Sequence, residues 1–281
     1  MQCQWQALLN ILPLWLRSEV DAVGRATLLE IRLREKLPVA LHFKDVTTWL
    51  KRTVNQDDLM FCINAATKYS PWTAGTITEG FITAPGGHRI GVCGECVYDS
   101  GKLKNITRFT SVCIRVARDF SNVSGDVYMR NASILIIGSP GTGKTTFLRD
   151  LIRKISDKKT GSVAVVDERK EIFPHTFGIE FEKGRQTDIF TGCRKVDGID
   201  MVLRTMNPSV IAVDEITNEK DCLALTRAAW CGVRLLATAH AGNRRDLFER
   251  EVYKPILDKK IFKNLIILHS DKTWHEEILY I

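Results

Sequence analysis

Residues 134–145 read Ile134-Leu135-Ile136-Ile137-Gly138-Ser139-Pro140-Gly141-Thr142-Gly143-Lys144-Thr145. The apolar run Ile134 to Ile137 has the character of a short strand buried on both faces. The next eight positions match Gly-x-x-x-x-Gly-Lys-Ser/Thr, in which glycines let backbone N–H groups close on an anion. The spacing from Lys144 to Ser156 predicts a helix, whose N-terminus offers more N–H groups and a partial positive charge to the same anion. Lys144 carries the charge that meets β- and γ-phosphates, and the Thr145 hydroxyl is the kind of oxygen that ligates Mg²⁺. The candidate nucleotide contacts are Gly138, Ser139, Pro140, Gly141, Thr142, Gly143, Lys144, Thr145 and Thr146, with ATP and Mg²⁺ as the expected ligands.

Downstream, strand and helix patterns alternate. SVAVVD predicts a strand, Val196 to Met206 a helix, VIAVDE a strand, residues 219–231 a helix and VRLLATA a strand. Two closing strands are expected in LIILHSDKTWHEEILYI. This order predicts an α/β P-loop NTPase, a RecA/AAA-like parallel sheet with helices on both faces. In VIAVDE the acids fall at a strand's C-terminal end, where ligands gather in such sheets. Asp214 is placed to hold magnesium and Glu215 to polarise water. Asp167-Glu168-Arg169-Lys170-Glu171 and Thr238-Ala239-His240 end two further strands at the same edge. Carboxylates there can position the attacking water, and Thr or His can sense a γ-phosphate. The sequence leaves the water-activating carboxylate open among Glu215, Asp167, Glu168 and Glu171, with His240 as a further catalytic candidate.

Upstream, residues 1–125 predict a smaller α+β domain, and 126–281 the P-loop domain. The boundary lies in the polar stretch DFSNVSGDVYMRNA. A helix is expected near residues 4–17. TLLEIRLR and LPVALHF alternate as strands, with Leu29, Ile31 and Leu33 on one face. A helix is expected from Asp57 to Tyr69, with Asn55 as N-cap and Asp58 closing a capping box. The stretch GFITAPGGHRIGVCGECVYDSGKLKNITRFTSVCIRVAR reads as antiparallel strands broken at Pro85-Gly86-Gly87 and Asp99-Ser100-Gly101.

Composition bounds the class. The 281 residues are 44% hydrophobic and 26% charged, the balance of a globular protein. No run reaches the roughly 18 apolar residues of a membrane span. The apolar N-terminus lacks a basic flank and a small-residue cleavage site, so it predicts an amphipathic helix rather than a signal peptide. The eight cysteines read as reduced thiols. Cys93-x-x-Cys96 has no second pair to complete a zinc site, and its alternating surroundings make both strand residues. A net charge of +7 permits an acidic partner, but there is no long Lys/Arg run and no basic patch interleaved with aromatics.

The order of these boxes resembles the type II and type IV secretion ATPases, with Leu203-Arg204 and Pro208 leading into VIAVDEI. More closely, the chain resembles the stage III sporulation protein AA family. That resemblance runs through EIRLR, GFITAPGGHRIGVCGE, SVCIRVAR, SPGTGKTTFLRDLIR, VVDERKEI, GRQTDI, AVDEI and ATAHA, over residues 28–242. The loop residues Ser139-Pro140-Gly141-Thr142, and Thr217-Asn218 after the second acidic strand, depart from the family's usual pattern. The resemblance implies a cytoplasmic Mg-dependent ATPase, a homo-hexamer, peripheral at a membrane complex. Its implied partners are integral membrane proteins of a sporulation channel, which it would energise during endospore formation. It also implies arginines of the N-terminal domain reaching phosphates at subunit boundaries. Arg89 and Arg115 sit on comparable strand segments, with Arg185 a weaker third. Two other functions fit the residues: a nucleic-acid-stimulated ATPase, which is not favoured, and a slow nucleotide-binding scaffold.

Overall fold

The computed structural model describes residues 3–68, 77–78, 80–158, 161–174 and 181–280. The chain divides into two compact units, the first Met1–Asp119 and the second Phe120–Phe173 with Phe181–Ile281.

The first unit is built on a six-stranded sheet in the order β3-β2-β1-β6-β5-β4. Its strands are β1 (Glu30–Arg34), β2 (Pro38–His42), β3 (Thr47–Thr53), β4 (Phe81–Thr83), β5 (Arg89–Asp99) and β6 (Lys102–Arg115). All their pairings are antiparallel. The expected first helix is two helices, α1 (Trp5–Asn10) and α2 (Leu14–Val23). Pro13 stands between them as the N-cap of α2, because it lacks the N–H that would continue the first helix. Leu29 does not share the buried face of Ile31 and Leu33. It precedes β1 and is 45% exposed, while Leu28 is buried in its place. β3 was not legible in the sequence, for its pattern is nearly all exposed, as suits an edge strand with one covered neighbour. α3 (Gln56–Thr67) begins with the expected capping box. Asp58 N–H donates to Asn55 Oδ1 at 2.9 Å, and Asn55 N–H donates to Asp58 Oδ2 at 3.0 Å. Tyr69, its expected end, lies outside the described residues. Cys93 and Cys96 both lie in β5 and are exposed.

The second unit holds a seven-stranded sheet in the order β13-β12-β7-β11-β10-β8-β9. β7 (Ile134–Ile137), β8 (Val163–Asp167), β9 (Thr187–Thr191), β10 (Val210–Val213), β11 (Arg234–Ala239) and β12 (Asn264–Leu268) run parallel. β13 (Trp274–Ile278) is antiparallel to β12, so the sheet is mixed at that edge. A two-strand hairpin permits only that direction. β9 joins as an additional edge strand that its polar sequence, TDIFT, did not announce.

Side chains alternate along the central strands β7, β8, β10 and β11, and both faces there are buried. Leu135, Ile137, Ala164, Val166, Ile211, Val213, Leu235 and Ala237 form one core. It is covered by α5 (Lys195–Thr205), α6 (Glu219–Trp230), α7 (Arg244–Glu249) and α8 (Lys254–Asp258). The alternate residues, among them Ile134, Ile136, Val165 and Leu236, are equally buried. On their side α4 (Lys144–Asp157) packs on β7, β8, β9 and β11. Phe147, Leu148, Leu151, Ile152 and Ile155 supply its apolar stripe. Each such side chain contributes about 2 kcal/mol by leaving water.

Asp150, fully buried on α4, ties the entry segment to this helix. Its carboxylate accepts from Asn122 N–H (2.9 Å), Ser124 N–H (2.8 Å), the Ser124 hydroxyl (2.7 Å) and Arg153 Nη2 (2.7 Å). Burial pushes its pKa up, but the Ser124, Arg153 and Asn122 hydrogen bonds outweigh that and hold it at about 2. A depressed folded-state pKa adds stability above the ordinary value of 3.8, lost as pH falls toward about 2. Asp150→Asn should therefore flatten the acid limb of a stability–pH curve in this window. At pH 7 it should lower stability by about 3 kcal/mol, since it removes the buried carboxylate that Arg153 meets at 2.7 Å and leaves it the more distant, exposed Glu182 at 3.8 Å. Urea melts across the pH range check both; an unchanged acid limb would refute the assignment.

Candidate nucleotide site

The site assembles where β7, β11, β10 and β8 end side by side. The loop from Gly138 leaves β7 and turns into α4. Gly141 (φ 78°) and Gly143 (φ 106°) take left-handed conformations that other residues adopt only with strain. At Gly138 the constraint is proximity, for a Cβ there would stand 2.5 Å from Thr142 Oγ1 and 3.0 Å from the Leu268 carbonyl.

Lys144 opens α4 and is nearly buried. Its ammonium donates to the carbonyls of Gly138 (2.8 Å) and Ser139 (3.1 Å) and to His240 Nδ1 (3.1 Å). Burial pulls its pKa below the ordinary lysine value, with Asp214 and Glu215 acting against that pull. An ammonium can only donate, so His240 Nδ1 is the acceptor and its Nε2 carries the proton. That Nε2–H donates to Glu215 Oε1. Arg169 Nη1 donates to Glu215 Oε2. Arg169, Glu215, His240 and Lys144, from four separate strand ends, thus form one chain of hydrogen bonds.

Thr145 Oγ1 donates to Asp214 Oδ2 at 2.6 Å. Thr238, fully buried in β11, donates to Asp214 Oδ1 and accepts from Glu215 N–H at 2.8 Å. This last bond helps hold Glu215 at φ 55°, in the left-handed region. Burial raises the Glu215 pKa, but His240 and Arg169 overcome it and leave the carboxyl below its ordinary range.

The acidic segment after β8 is differentiated. Asp167, 1% exposed, accepts from the N–H groups of Glu171 (2.8 Å), Ile172 (3.0 Å) and Phe173 (3.0 Å). Burial lifts its pKa to about 6 in spite of those donors. Glu168 accepts from the buried Lys195 Nζ at 2.6 Å, which also lies 3.7 Å from Asp221. Arg149 reaches from α4 to the carbonyl of Glu171 at 2.9 Å. Glu168, Glu171, Asp214 and Glu215 line one cleft with Arg169 and Lys195.

The sequence profile of the family described as "Sporulation stage III, protein AA" matches residues 3–278. The chain belongs to that family. A relative within it, stage III sporulation protein AA of Bacillus subtilis, is 32% identical over 266 residues, 91% of this chain and 87% of the relative. Two solved structures share the fold. The pilus retraction motor PilT with bound ADP aligns at 16% identity with a TM-score of 0.61, covering 94% of this chain and 82% of its own. The ATPase DotB of Legionella pneumophila aligns at 14% identity with a TM-score of 0.56, covering 94% and 79%.

Ser139 and Pro140 form the exposed crest of the loop, and Thr146 is half-buried in the first turn of α4. Arg89 and Arg115 belong to the first unit, where they face each other in the β5–β6 register. Arg89 lies over the Phe81 ring at 4.3 Å, and Arg115 is 3.7 Å from Glu30. Arg185 precedes β9, its N–H donating to Asp157.

Two site residues were not assigned from sequence, Arg169 and Lys195, and Thr238, named there only as a phosphate sensor, holds Asp214 and Glu215. Thr238 and Arg169 stood inside the boxes already quoted. Lys195 gave no signal, because only the packing of α5 brings it beneath Glu168. Thr238→Val keeps the shape and removes both bonds of the hydroxyl, which leaves a shielded N–H and a carboxylate oxygen short of a partner. The urea midpoint should fall by the equivalent of about 2 kcal/mol; a change below about 0.5 kcal/mol would show that the hydroxyl holds nothing together.

Proposed function

We propose that the chain is a Mg-dependent ATPase whose nucleotide phosphates rest on Gly138–Thr145. The observation that carries this reading is the Thr145–Asp214 hydrogen bond at 2.6 Å beside the Lys144 ammonium. It brings a hydroxyl and a carboxylate, both hard oxygen donors, to the N-terminus of α4. Such a pair suits Mg²⁺, which keeps most of its waters and binds one or two protein oxygens together with phosphate. Bound there, the ion would neutralise phosphate charge.

The chain's own groups supply the rest. Lys144 exchanges its contacts with Gly138, Ser139 and His240 for a phosphate, and the loop N–H groups orient the same anion. Of the four candidate carboxylates, Glu215 is best suited to receive a proton from water. It is ionised, stands next to Asp214, and is held by side chains that can release it. Asp167 is engaged by three backbone N–H groups and shapes the loop, while Glu168 is held by Lys195. When Lys144 turns to the phosphate, His240 loses one partner, which loosens its hold on Glu215. Phosphate binding and release of the base are thereby coupled.

Family membership supports a role in sporulation, and the shared fold with PilT and DotB supports a motor ATPase. On this reading the chain forms a ring, taken to be a hexamer, at a membrane complex whose integral proteins it drives. Arg89 or Arg115 would act across a subunit boundary. Among the described residues no helix is long and apolar enough to cross a membrane.

Steady-state ATP hydrolysis, with light scattering for mass in the presence of nucleotide, tests this. Wild type should turn over and assemble, and Lys144→Ala should lose both ATP binding and turnover. Glu215→Gln should bind ADP as wild type does while turnover falls about a hundredfold or more. Full turnover in Glu215→Gln would move the base to Glu168 or Glu171. A wild type that binds no nucleotide would end the reading.

A further inference from the structure

We propose that Lys272, at the tip of the β12–β13 hairpin, is a second phosphate-directed cation of the nucleotide site, contributed by the C-terminal part of the same chain. The inference rests on the nucleotide reading above and extends it to a residue outside the phosphate loop.

The placement follows from the sheet. β12 lies parallel to β7, with Ile267 opposite Ile137, so the two strands end together. The phosphate loop leaves one at Gly138, and the hairpin leaves the other at Leu268. Their backbones meet there, since the Leu268 carbonyl stands 3.0 Å from where a Gly138 Cβ would be. The hairpin turn is tightly defined. His269 N–H donates to the Thr273 carbonyl (2.9 Å), and Lys272 N–H donates to the His269 carbonyl (3.1 Å). Asp271 Oδ1 accepts from both the N–H (2.9 Å) and the hydroxyl (2.6 Å) of Thr273.

Trp274 then fastens the hairpin to the helix that begins at the phosphate site. Its indole N–H donates to the Val123 carbonyl at 3.0 Å, and its ring meets Phe147 of α4 edge-on at 5.3 Å between centroids. Held in this way, Lys272 extends its ammonium to the carbonyl of Gly141, in the crest of the phosphate loop.

Charge gives the contact its meaning. Arg169 and Lys195 are each paired with a carboxylate, Glu215 and Glu168. Lys144 and Lys272 are not. Among the described residues both ammonium groups rest on neutral acceptors, which are loop carbonyls and, for Lys144, an imidazole. Two ammonium groups converge on this one glycine-rich loop, hydrogen-bonded to no carboxylate among the described residues although Asp214 and Glu215 act on Lys144 through space, and they give the loop a positive rim. Its natural complement is the polyphosphate of a nucleoside di- or triphosphate. Lys144 is buried and reaches into the loop, whereas Lys272 is exposed and reaches its outer crest, so they can take different phosphate oxygens.

The test uses the full chain and a fluorescent methylanthraniloyl-ADP, titrated at low and at high salt. Lys272 has φ 73°, a conformation that asparagine tolerates well, so Lys272→Asn removes the charge with little strain in the turn. Lys272→Asn should weaken ADP binding about tenfold at low salt. The difference should shrink as salt rises. Lys272→Arg should stay within about twofold of wild type, and the thermal midpoint of either variant should match wild type. Wild-type affinity in Lys272→Asn overturns the inference while leaving the nucleotide site intact. So does a loss of affinity that is insensitive to salt and accompanied by a lower melting point, which would mark Lys272 as a prop for the turn. If neither wild type nor Lys144→Ala binds ADP, the nucleotide reading and this inference fall together.

Discussion

The carboxylate of Asp214 accepts one hydrogen bond from Thr145 and one from Thr238, and the site is organised around those two bonds. The first joins the start of α4 to the end of β10; the second joins β10 to β11. Thr238 passes the connection on by accepting the Glu215 N–H, while its carbonyl takes the Ile216 N–H at 2.9 Å. Glu215 is thereby held in a left-handed conformation that costs a non-glycine residue about 1–2 kcal/mol. Hydrogen bonds shielded from water reinforce each other, so a backbone strained at this one position is carried by its neighbours.

The same junction sorts the charges. Four carboxylates, Asp167, Glu168, Asp214 and Glu215, stand at neighbouring strand ends and would repel one another at such close quarters. Each is answered differently. Asp214 takes hydroxyl donors, Glu215 takes Arg169 and His240, and Glu168 takes Lys195. Asp167 takes three backbone N–H groups and still titrates high, because its burial outweighs them. Residues that look interchangeable as an acidic run are therefore chemically distinct. The one whose partners are also connected to Lys144 is Glu215, through His240.

The first unit follows a simpler logic. Its antiparallel sheet has one face on a core formed with the helices, and the β5–β6 pair extends from it as a long, largely exposed ribbon. Where a strand had one buried face, as in EIRLR, alternation showed it directly. Where it lay at an edge, as at Thr47–Thr53, its sequence resembled a polar loop, since neither face had to be apolar. The break at Pro13 arises because helical spacing continues through a residue that cannot donate its N–H. Leu29 still exchanges backbone hydrogen bonds with His42 and Val116, yet its side chain is exposed while that of Leu28 is buried.

Much of this protein was determined by local sequence. The phosphate loop, its strand and helix, the acidic strand VIAVDE and the alternation of strands and helices around them were legible. Each depends on a short-range rule: glycine conformation, a helix N-terminus, an apolar run buried on both faces. The α/β class and family membership followed from those segments in order. Only the tertiary structure decided how the segments meet. β11, late in the chain, inserts between β7 and β10, and this alone sets Thr238 and His240 between Lys144 and Glu215. The packing of α5 brings Lys195 under Glu168, and the pairing of β12 with β7 brings Lys272 to Gly141. Such contacts join residues far apart along the chain. No periodicity encodes them, because they arise from the lateral order of strands in a closely packed sheet.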